Sequence, residues 1–403
     1  MILKAIYKKI YIFFLYTLII IPILLILLFL RIFFKFNIVE LETRAIGHFS
    51  LSVEVFLCEI HTKKVNDKIF YIWFPNSKIS NYFLYKKWSE IINLGPRIIL
   101  EKIFNLSNRF NFLGKLFLSE YRHWKTPGNE NGNWQHFDIH NVLEVSNPRI
   151  SFSNNEDLLG KKFLKSIGFE NNKYICFFSR TGDYRKDPQN PHSIRNSSIY
   201  TQLKGIEKVC EKGFGAIRMS KVDKNNSLNS ENPRIYDYSY SKHKSDFLDI
   251  YLLFNCSYMV STPSGIHYIP IINRKKVLLV NYTNIAVLYA QKQIPIILPK
   301  KIINLATKKI VSYKEVFKKN LLNDDITKKQ LNYLGYDYLD NSENEIYYAI
   351  NEMHEYIINK SELKDFDLNN KFWDLYEDYY SKSRPKKTFI SRNFLIKYSD
   401  LLN

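Results

Sequence analysis

A chain of 403 residues that is 46% hydrophobic and 24% charged has ample apolar content for packed cores, which excludes a disordered tail and favours two domains over one. Its 58 Lys and Arg against 39 Asp and Glu give a formal charge of +19, which suits nucleic acid, an anionic membrane face or phosphate-rich small molecules. Nucleic acid is set aside, because the cations are mostly lysines scattered among Asn, Ile and Tyr, with no zinc-finger or RNA-recognition signature to give the charge any sequence specificity.

The first element is an uncharged run of 21 residues from Ile10 to Leu30, about what a helix needs to cross roughly 30 Å of hydrocarbon. Residues 1–36 are therefore expected to be a membrane anchor, touching lipid through residues 10–30. A cleaved signal peptide has a shorter apolar core and a small-residue cleavage site, and a buried core helix rarely runs so far without a charge. Pro22 either kinks a spanning helix or breaks it into a re-entrant hairpin. Lys4, Lys8 and Lys9 lie on one side and Arg31 and Lys35 on the other, so charge bias leaves the orientation open. With those five cations set aside, the rest of the chain still carries +14.

After the anchor, residues 37–43 read as a short strand and 44–48 as a tight turn. The apolar pattern over 49–60 then fits a helix packed on a sheet. A buried strand follows over 68–74, closed by Pro75-Asn76, and then a helix over 79–92. Residues 124–155 are richer in Gly, Pro, Asn and His and read as loop and crossover. The second half alternates more plainly. Strands are expected over 174–179, 214–219, 234–238, 258–261 and 276–281, with helices over 198–212 and 246–254 and one opening at Ser264. Gly213 is a stop signal, and Ser342-x-x-Glu345 is a capping box opening C-terminal helical sequence that runs to Tyr380. Short apolar strands alternating with helices predict an α/β fold with parallel, doubly wound sheets. The expected division is an N-terminal Rossmann-like domain over 37–160, a C-terminal one over 161–340 and closing helices over 341–403.

In such a fold the ligand lies outside the carboxyl ends of the strands, in the cleft between the domains. The strand ends here are polar. The strand over 174–179 is followed by Arg180 and Thr181-Gly182-Asp183-Tyr184-Arg185, and then by His192, Arg195 and Asn196. The strand over 214–219 carries Arg218. The strand over 258–261 runs into Thr262, Pro263, Ser264 and Gly265 at a helix start, a usual seat for phosphate. Arg180, Arg195 and Arg218 can meet a diphosphate with bidentate hydrogen bonds. An ordinary N-cap explains Ser264 as well on its own, and His192 alone reads as a structural loop histidine. Gly47 and His48 fall where the first strand meets its helix. There Gly47 lets backbone approach a ligand and His48 can deprotonate a hydroxyl, although helix capping accounts equally well for that histidine. Glu54 is a weaker alternative base.

Several chemistries find no support. No GxGxxG follows a strand and no GxxxxGKS/T or GxSxG occurs. The DxD at Asp365-Phe366-Asp367 falls in C-terminal helical sequence and reads as solvated surface, so no metal and no cofactor is expected. Cys58, Cys176, Cys210 and Cys256 are far apart in apolar stretches and read as buried free thiols of a reduced compartment.

The blocks RAIGHFSLSVEVFLCE (44–59), FSRTGDY (178–184), HSIRNSSI (192–199), GFGAIRMSKV (213–222), DFLDIYLLFNCSYMVSTPSG (246–265) and VLLVN (277–281) together resemble a family of predicted bacterial glycosyltransferases found with surface-polysaccharide genes. The family's loop after the first strand of the second domain often reads closer to V-R-D-x-x-Y, whereas here Thr181-Gly182 intervenes. The resemblance implies a GT-B-like fold and a nucleotide-sugar donor. On this basis the expected activity is metal-independent transfer of a sugar onto a glycan or glycolipid acceptor. The 161–340 domain would hold the donor, and the globular part would face the cytoplasm from a bacterial inner membrane. A non-catalytic glycan-binding or assembly subunit of the same fold is the alternative.

Overall fold

In the computed structural model the described residues are 14, 16–76, 78–118, 121, 138–169, 173–181, 191–220, 227–228, 230–285, 291–322, 326–363, 366–380 and 388–403. The chain divides into two units, Met1–Ile150 and Ser151–Asn403.

In the first unit, runs of apolar and aromatic residues form three parallel strands, β1 (Phe36–Leu41), β2 (Phe70–Pro75) and β3 (Asn93–Leu94), in the order β1-β2-β3. β1 is buried along its whole length, as expected of a strand covered on both faces. Its polar Glu40 is met there by the Asn76 side chain at 2.6 Å. A single helical stretch then begins near Ile46 and continues as Val53–His61. Trp88, from the helix Tyr82–Ser89, donates its indole N–H to the Phe49 carbonyl at 2.8 Å, tying two successive helices of the unit together. After β3 the chain returns to β1, where Leu118 makes a parallel bridge to Ile38. The order among the described residues therefore reverses at β1 rather than running on in one direction.

The second unit is doubly wound. Its strands are β4 (Tyr174–Phe178), β5 (Gly215–Arg218), β6 (Ile235–Asp237), β7 (Tyr258–Ser261), β8 (Lys276–Tyr282) and β9 (Ile296–Pro299). The antiparallel pair β10 (Lys301–Asn304) and β11 (Tyr336–Leu339) lies apart from the main sheet, and β12 (Phe389–Ile390) closes its far edge. The seven-stranded sheet runs β12-β9-β8-β7-β4-β5-β6 with every pair parallel. From β4 the chain moves outward to β5 and β6, then returns to the other side at β7. The switch point thus falls between β4 and β7.

Two glycines set the closeness of the helices in this unit. A Cβ on Gly160, in the helix Asn154–Ser166, would fall 2.1 Å from the Tyr251 ring, and one on Gly205 would fall 2.6 Å from Ile350. The Ser342–Glu345 capping box is formed as expected and opens the helix Glu343–Ile358. The four cysteines are buried free thiols.

The anchor segment is described from residue 16 onward, with residue 14. Tyr16–Ile20 is a π-turn that runs into the helix Ile21–Leu30 past Pro22. Among the described residues no helix is long and apolar enough to cross a membrane, so the spanning helix expected over residues 10–30 is not seen in them.

Candidate functional site

The switch point of the second unit gathers the polar strand ends. Thr262, just past β7, donates its N–H to the Phe178 carbonyl at 3.2 Å. Its hydroxyl in turn accepts the Arg180 N–H at 2.8 Å. The two central strands are therefore cross-tied beyond their last ladder bonds. A third segment closes on them. The 3-10 turn Pro191–Arg195 leads into Asn196, whose Oδ1 accepts from Arg180 Nη1 at 3.2 Å. Ser197 returns its N–H to the Arg180 carbonyl at 3.0 Å, while the Ser179 hydroxyl donates to the Ser197 carbonyl at 2.6 Å. Arg180, Arg195, Asn196, Ser264 and Gly265 are all half-buried here, open enough to meet a ligand and ordered by their own hydrogen bonds. His192 lies in the same turn, and its side chain is outside the described residues, as are Gly182, Asp183, Tyr184 and Arg185.

The Thr262–Gly265 loop is more committed than its composition suggests. The Ser264 N–H donates to His267 Nδ1 at 3.2 Å. His267 is buried, and its ring also hydrogen-bonds the Thr262 carbonyl. Burial, and after it the nearby Arg195 guanidinium, pushes its pKa down to about 3. A neutral imidazole thus occupies the Ser264 amide, correcting the expectation that this amide is open to phosphate. The same interaction places Arg195 beside the loop. Gly265 begins a single 3-10 turn ahead of the short helix Tyr268–Ile272.

Arg218 has a different role from Arg180 and Arg195. It is 3% exposed, and its Nη1 lies 2.9 Å from Asp237 Oδ2. The register of β5 on β6 sets Arg218 opposite Asp237, and that carboxylate is further tied by the Leu228 and Ser239 N–H groups. The expected diphosphate contact from Arg218 is corrected to an ion pair within the sheet, in which the buried guanidinium meets a half-buried carboxylate.

Lys300, which sequence reasoning passed over, belongs to the site. It follows β9 and is buried, with its ammonium donating to the Asn196 carbonyl at 3.1 Å and lying 2.7 Å from Asp340 Oδ1. Burial lowers its pKa, an effect the Asp340 carboxylate opposes. An ammonium carries three donors, two of which these contacts use. The available signal was a lysine directly after the short apolar run IILP, which follows Pro295 and ends at Pro299, and proline within or beside a run argues against a central strand.

In the first unit, Gly47 has ordinary right-handed helical angles (φ −66°, ψ −51°) and is buried. The tight turn expected over 44–48 gives way to a helix that already begins at residue 46, so no left-handed conformation calls for this glycine. His48 occupies that first helical turn and is half-buried. Burial lowers its pKa below the usual histidine value, while the Glu42 carboxylate opposes the shift. Glu42 is itself held by Arg44 through two contacts of 3.0 Å. The shift favours the neutral imidazole. Glu54 is fully buried, and its carboxylate accepts the Arg149 N–H at 3.1 and 3.2 Å, a structural tie across the unit.

No protein-family model and no curated protein matches the chain. Among solved structures it is similar to ADP-heptose lipopolysaccharide heptosyltransferase II of E. coli, with 9% identity, a TM-score of 0.35, and 61% of this chain and 84% of that one covered. A glycosyl transferase family 9 protein from Veillonella parvula gives 10% identity and a TM-score of 0.36 over 61% and 80% of the two chains. The E. coli heptosyltransferase WaaC with ADP gives 11% identity and 0.33 over 61% and 87%.

Proposed function

We propose that the chain is a glycosyltransferase of GT-B type, moving a sugar from a nucleoside-diphosphate donor to a lipid-linked glycan in surface-polysaccharide synthesis. The observation that carries this reading is the meeting of Arg180 and Thr262 over the β4/β7 switch point, with Arg195 and Asn196 drawn in beside them. Open parallel sheets bind ligands at that place. Two guanidiniums there suit the diphosphate that departs with the donor's glycosidic bond, since each can give paired, charge-assisted hydrogen bonds as negative charge develops.

In this reading the acceptor oxygen attacks the anomeric carbon, and the bond from that carbon to the diphosphate oxygen breaks. The acceptor proton passes to neutral His48. Arg180 and Arg195 stabilise the leaving charge, so the step needs no divalent cation. Lys300 positions the Asn196 segment through its backbone carbonyl. Nucleotide sugars are cytosolic, so the globular part faces the cytoplasm of a bacterial inner membrane, where the N-terminal apolar segment holds it beside a lipid-linked acceptor.

Calorimetric titration with ADP, UDP, GDP and CMP tests the donor site. One of them is expected to bind, and Arg180→Ala or Arg195→Ala to weaken it by about 10- to 100-fold, from charge-assisted bonds of roughly 1.5–3 kcal/mol. Equal binding by wild type and both variants would remove the site. Binding without turnover across a panel of nucleotide sugars would leave a glycan-assembly subunit in place of an enzyme.

A further inference from the structure

Among the described residues, the helical segment from Tyr16 to Leu30 is covered on one side only. Ile20 is buried in a cluster with Phe36, Leu100, Ile103 and Phe117, and Ile23, Leu24, Leu27 and Leu28 pack against that cluster. Their spacing of three and four residues is one stripe of a helix. The opposite stripe is formed by Leu18, Leu25, Ile26 and Phe29 and continues into Ile32 and Phe33, all between 57% and 74% exposed. A helix lying on a water-facing surface carries charge on that stripe. This one carries none. Single exposed apolar residues are ordinary, whereas a contiguous run of them marks an interaction surface.

Charge selects the occupant. Arg31 and Lys35 directly follow the stripe. The two helices that share its cluster, Arg97–Arg109 and Asn111–Phe117, carry Arg97, Lys102, Arg109 and Lys115 against a single acid, Glu101. An apolar stripe with a cationic border suits a bilayer containing anionic lipid, to which each cation near the surface is attracted.

Packing selects the orientation. A helix crossing the bilayer turns its circumference to lipid or to other apolar helices. Here one side is held by Leu100, Ile103 and Phe117, whose own helices bear those cations. Immersing those charges in hydrocarbon is costly. The end of the segment is pinned as well. The Arg31 guanidinium donates to the Phe36 carbonyl and lies over the Phe36 and Phe117 rings, at 5.6 and 5.7 Å from their centroids.

We infer that this segment is a monotopic anchor. It lies along the surface of an anionic bilayer, with the Leu25–Phe29–Phe33 stripe in the acyl boundary and the Ile20–Leu28 stripe in the protein, and it does not cross. The inference rests on the membrane placement given under the proposed function and is independent of the sugar chemistry.

Flotation of the full chain with sealed vesicles of phosphatidylethanolamine and phosphatidylglycerol is the test. Wild type is expected to float. The triple variant Leu25→Glu, Phe29→Glu, Phe33→Glu is expected to stay with the soluble fraction while keeping its circular-dichroism melt, because those positions lie off the buried stripe. Single Lys4→Cys and Lys35→Cys variants, added from outside, are then treated with an impermeant maleimide, the native thiols being buried. Labelling of both without lysis supports the inference. Labelling of Lys4→Cys only after lysis overturns it and leaves a spanning anchor, with the membrane placement intact. Failure of wild type to float overturns both. If wild type also sediments as a dimer that the triple variant dissociates, the stripe is a subunit interface, which overturns the inference too.

Discussion

Asn281 and Asn341 exchange two hydrogen bonds. The N–H of Asn281 donates to Asn341 Oδ1 at 2.7 Å, and the N–H of Asn341 donates to Asn281 Oδ1 at 2.6 Å. Both residues are buried. Their amide nitrogens reach further, from Asn281 to the Ser197 hydroxyl at 2.8 Å and from Asn341 to the Pro299 carbonyl at 2.8 Å. One pair thus joins the ends of β8 and β9, the start of a C-terminal helix and the segment that carries Arg195 and Asn196. Asn281 sits at φ 52°, a left-handed conformation that Asn tolerates better than most side chains. Changing either residue to Ala leaves a buried backbone N–H without an acceptor and is expected to cost about 1–3 kcal/mol in urea unfolding. Each single change removes one of the two bonds and leaves the other, and because the residues touch, the double variant should depart from the sum of the two. Nucleoside-diphosphate binding should weaken along with stability.

Arg218 and Arg180 should separate cleanly. Arg218→Ala takes a buried guanidinium away from the half-buried Asp237 carboxylate, which keeps its two backbone N–H partners, and is expected to lower stability by about 1–3 kcal/mol. Asp237→Ala added to it should recover part of that loss. Arg180→Ala lies at the half-exposed edge and should reduce ligand affinity with a much smaller shift in the melting temperature. Thermal melts and calorimetric titration on the same preparations read both effects. An Arg218→Ala protein of wild-type stability would contradict the pairing.

Glu345 predicts the acid limit of the second unit. Burial alone would raise its pKa. Lys301 at 2.6 Å, Lys397 at 2.7 Å, the Tyr398 hydroxyl and the Ser342 N–H overcome that and hold it at about 2. A folded pKa below the unfolded one stabilises above the unfolded value, about 4.3, and the stabilisation is lost as pH falls toward 2. Stability should therefore decline between about pH 4.3 and 2, by an amount on the order of 3 kcal/mol. In Glu345→Gln the decline over that window should shrink, as followed by denaturant unfolding at stepped pH.

His48 should show itself in the pH dependence of turnover. Burial lowers its pKa and Glu42 partly opposes this, so the neutral base persists to below the ordinary histidine value. The acid limb of kcat/KM is expected to fall below pH 6.5, a value typical of free histidine. Glu42→Gln, which removes the opposing charge, should move that limb lower still. His48→Gln should reduce kcat by about 100- to 10,000-fold, the usual range for a positioned base. Full turnover in His48→Gln would remove the base and leave the donor site standing.

Much of the second unit was legible in the sequence. The strands near 174, 215, 235, 258 and 276 and the helices between them follow from short apolar runs, capping residues and the stop at Gly213, all local signals. The placement of Arg180 and Thr262 was legible for the same reason, as polar residues next to an apolar run mark a strand's carboxyl end. β9, β10, β11 and β12 were missed. β9 is a short run bounded by prolines, β10 and β11 pair with each other across more than 30 residues, and β12 is two residues that become a strand only by pairing with β9.

The long apolar run at the N-terminus belongs to the sequence alone, which determines its composition and its lack of charge. Only the tertiary structure decides that one stripe of it is already taken by Leu100, Ile103 and Phe117, since those partners lie 70 residues or more further along. The arginines divide in the same way. Sequence places three of them at strand ends, but the register of β5 on β6 buries Arg218 against Asp237. A hydrogen bond across the switch point keeps Arg180 at the edge. Periodicity reports which way a side chain faces along its own strand. Which charge lies opposite is decided by pairing between strands distant in the chain, and local pattern carries no record of that.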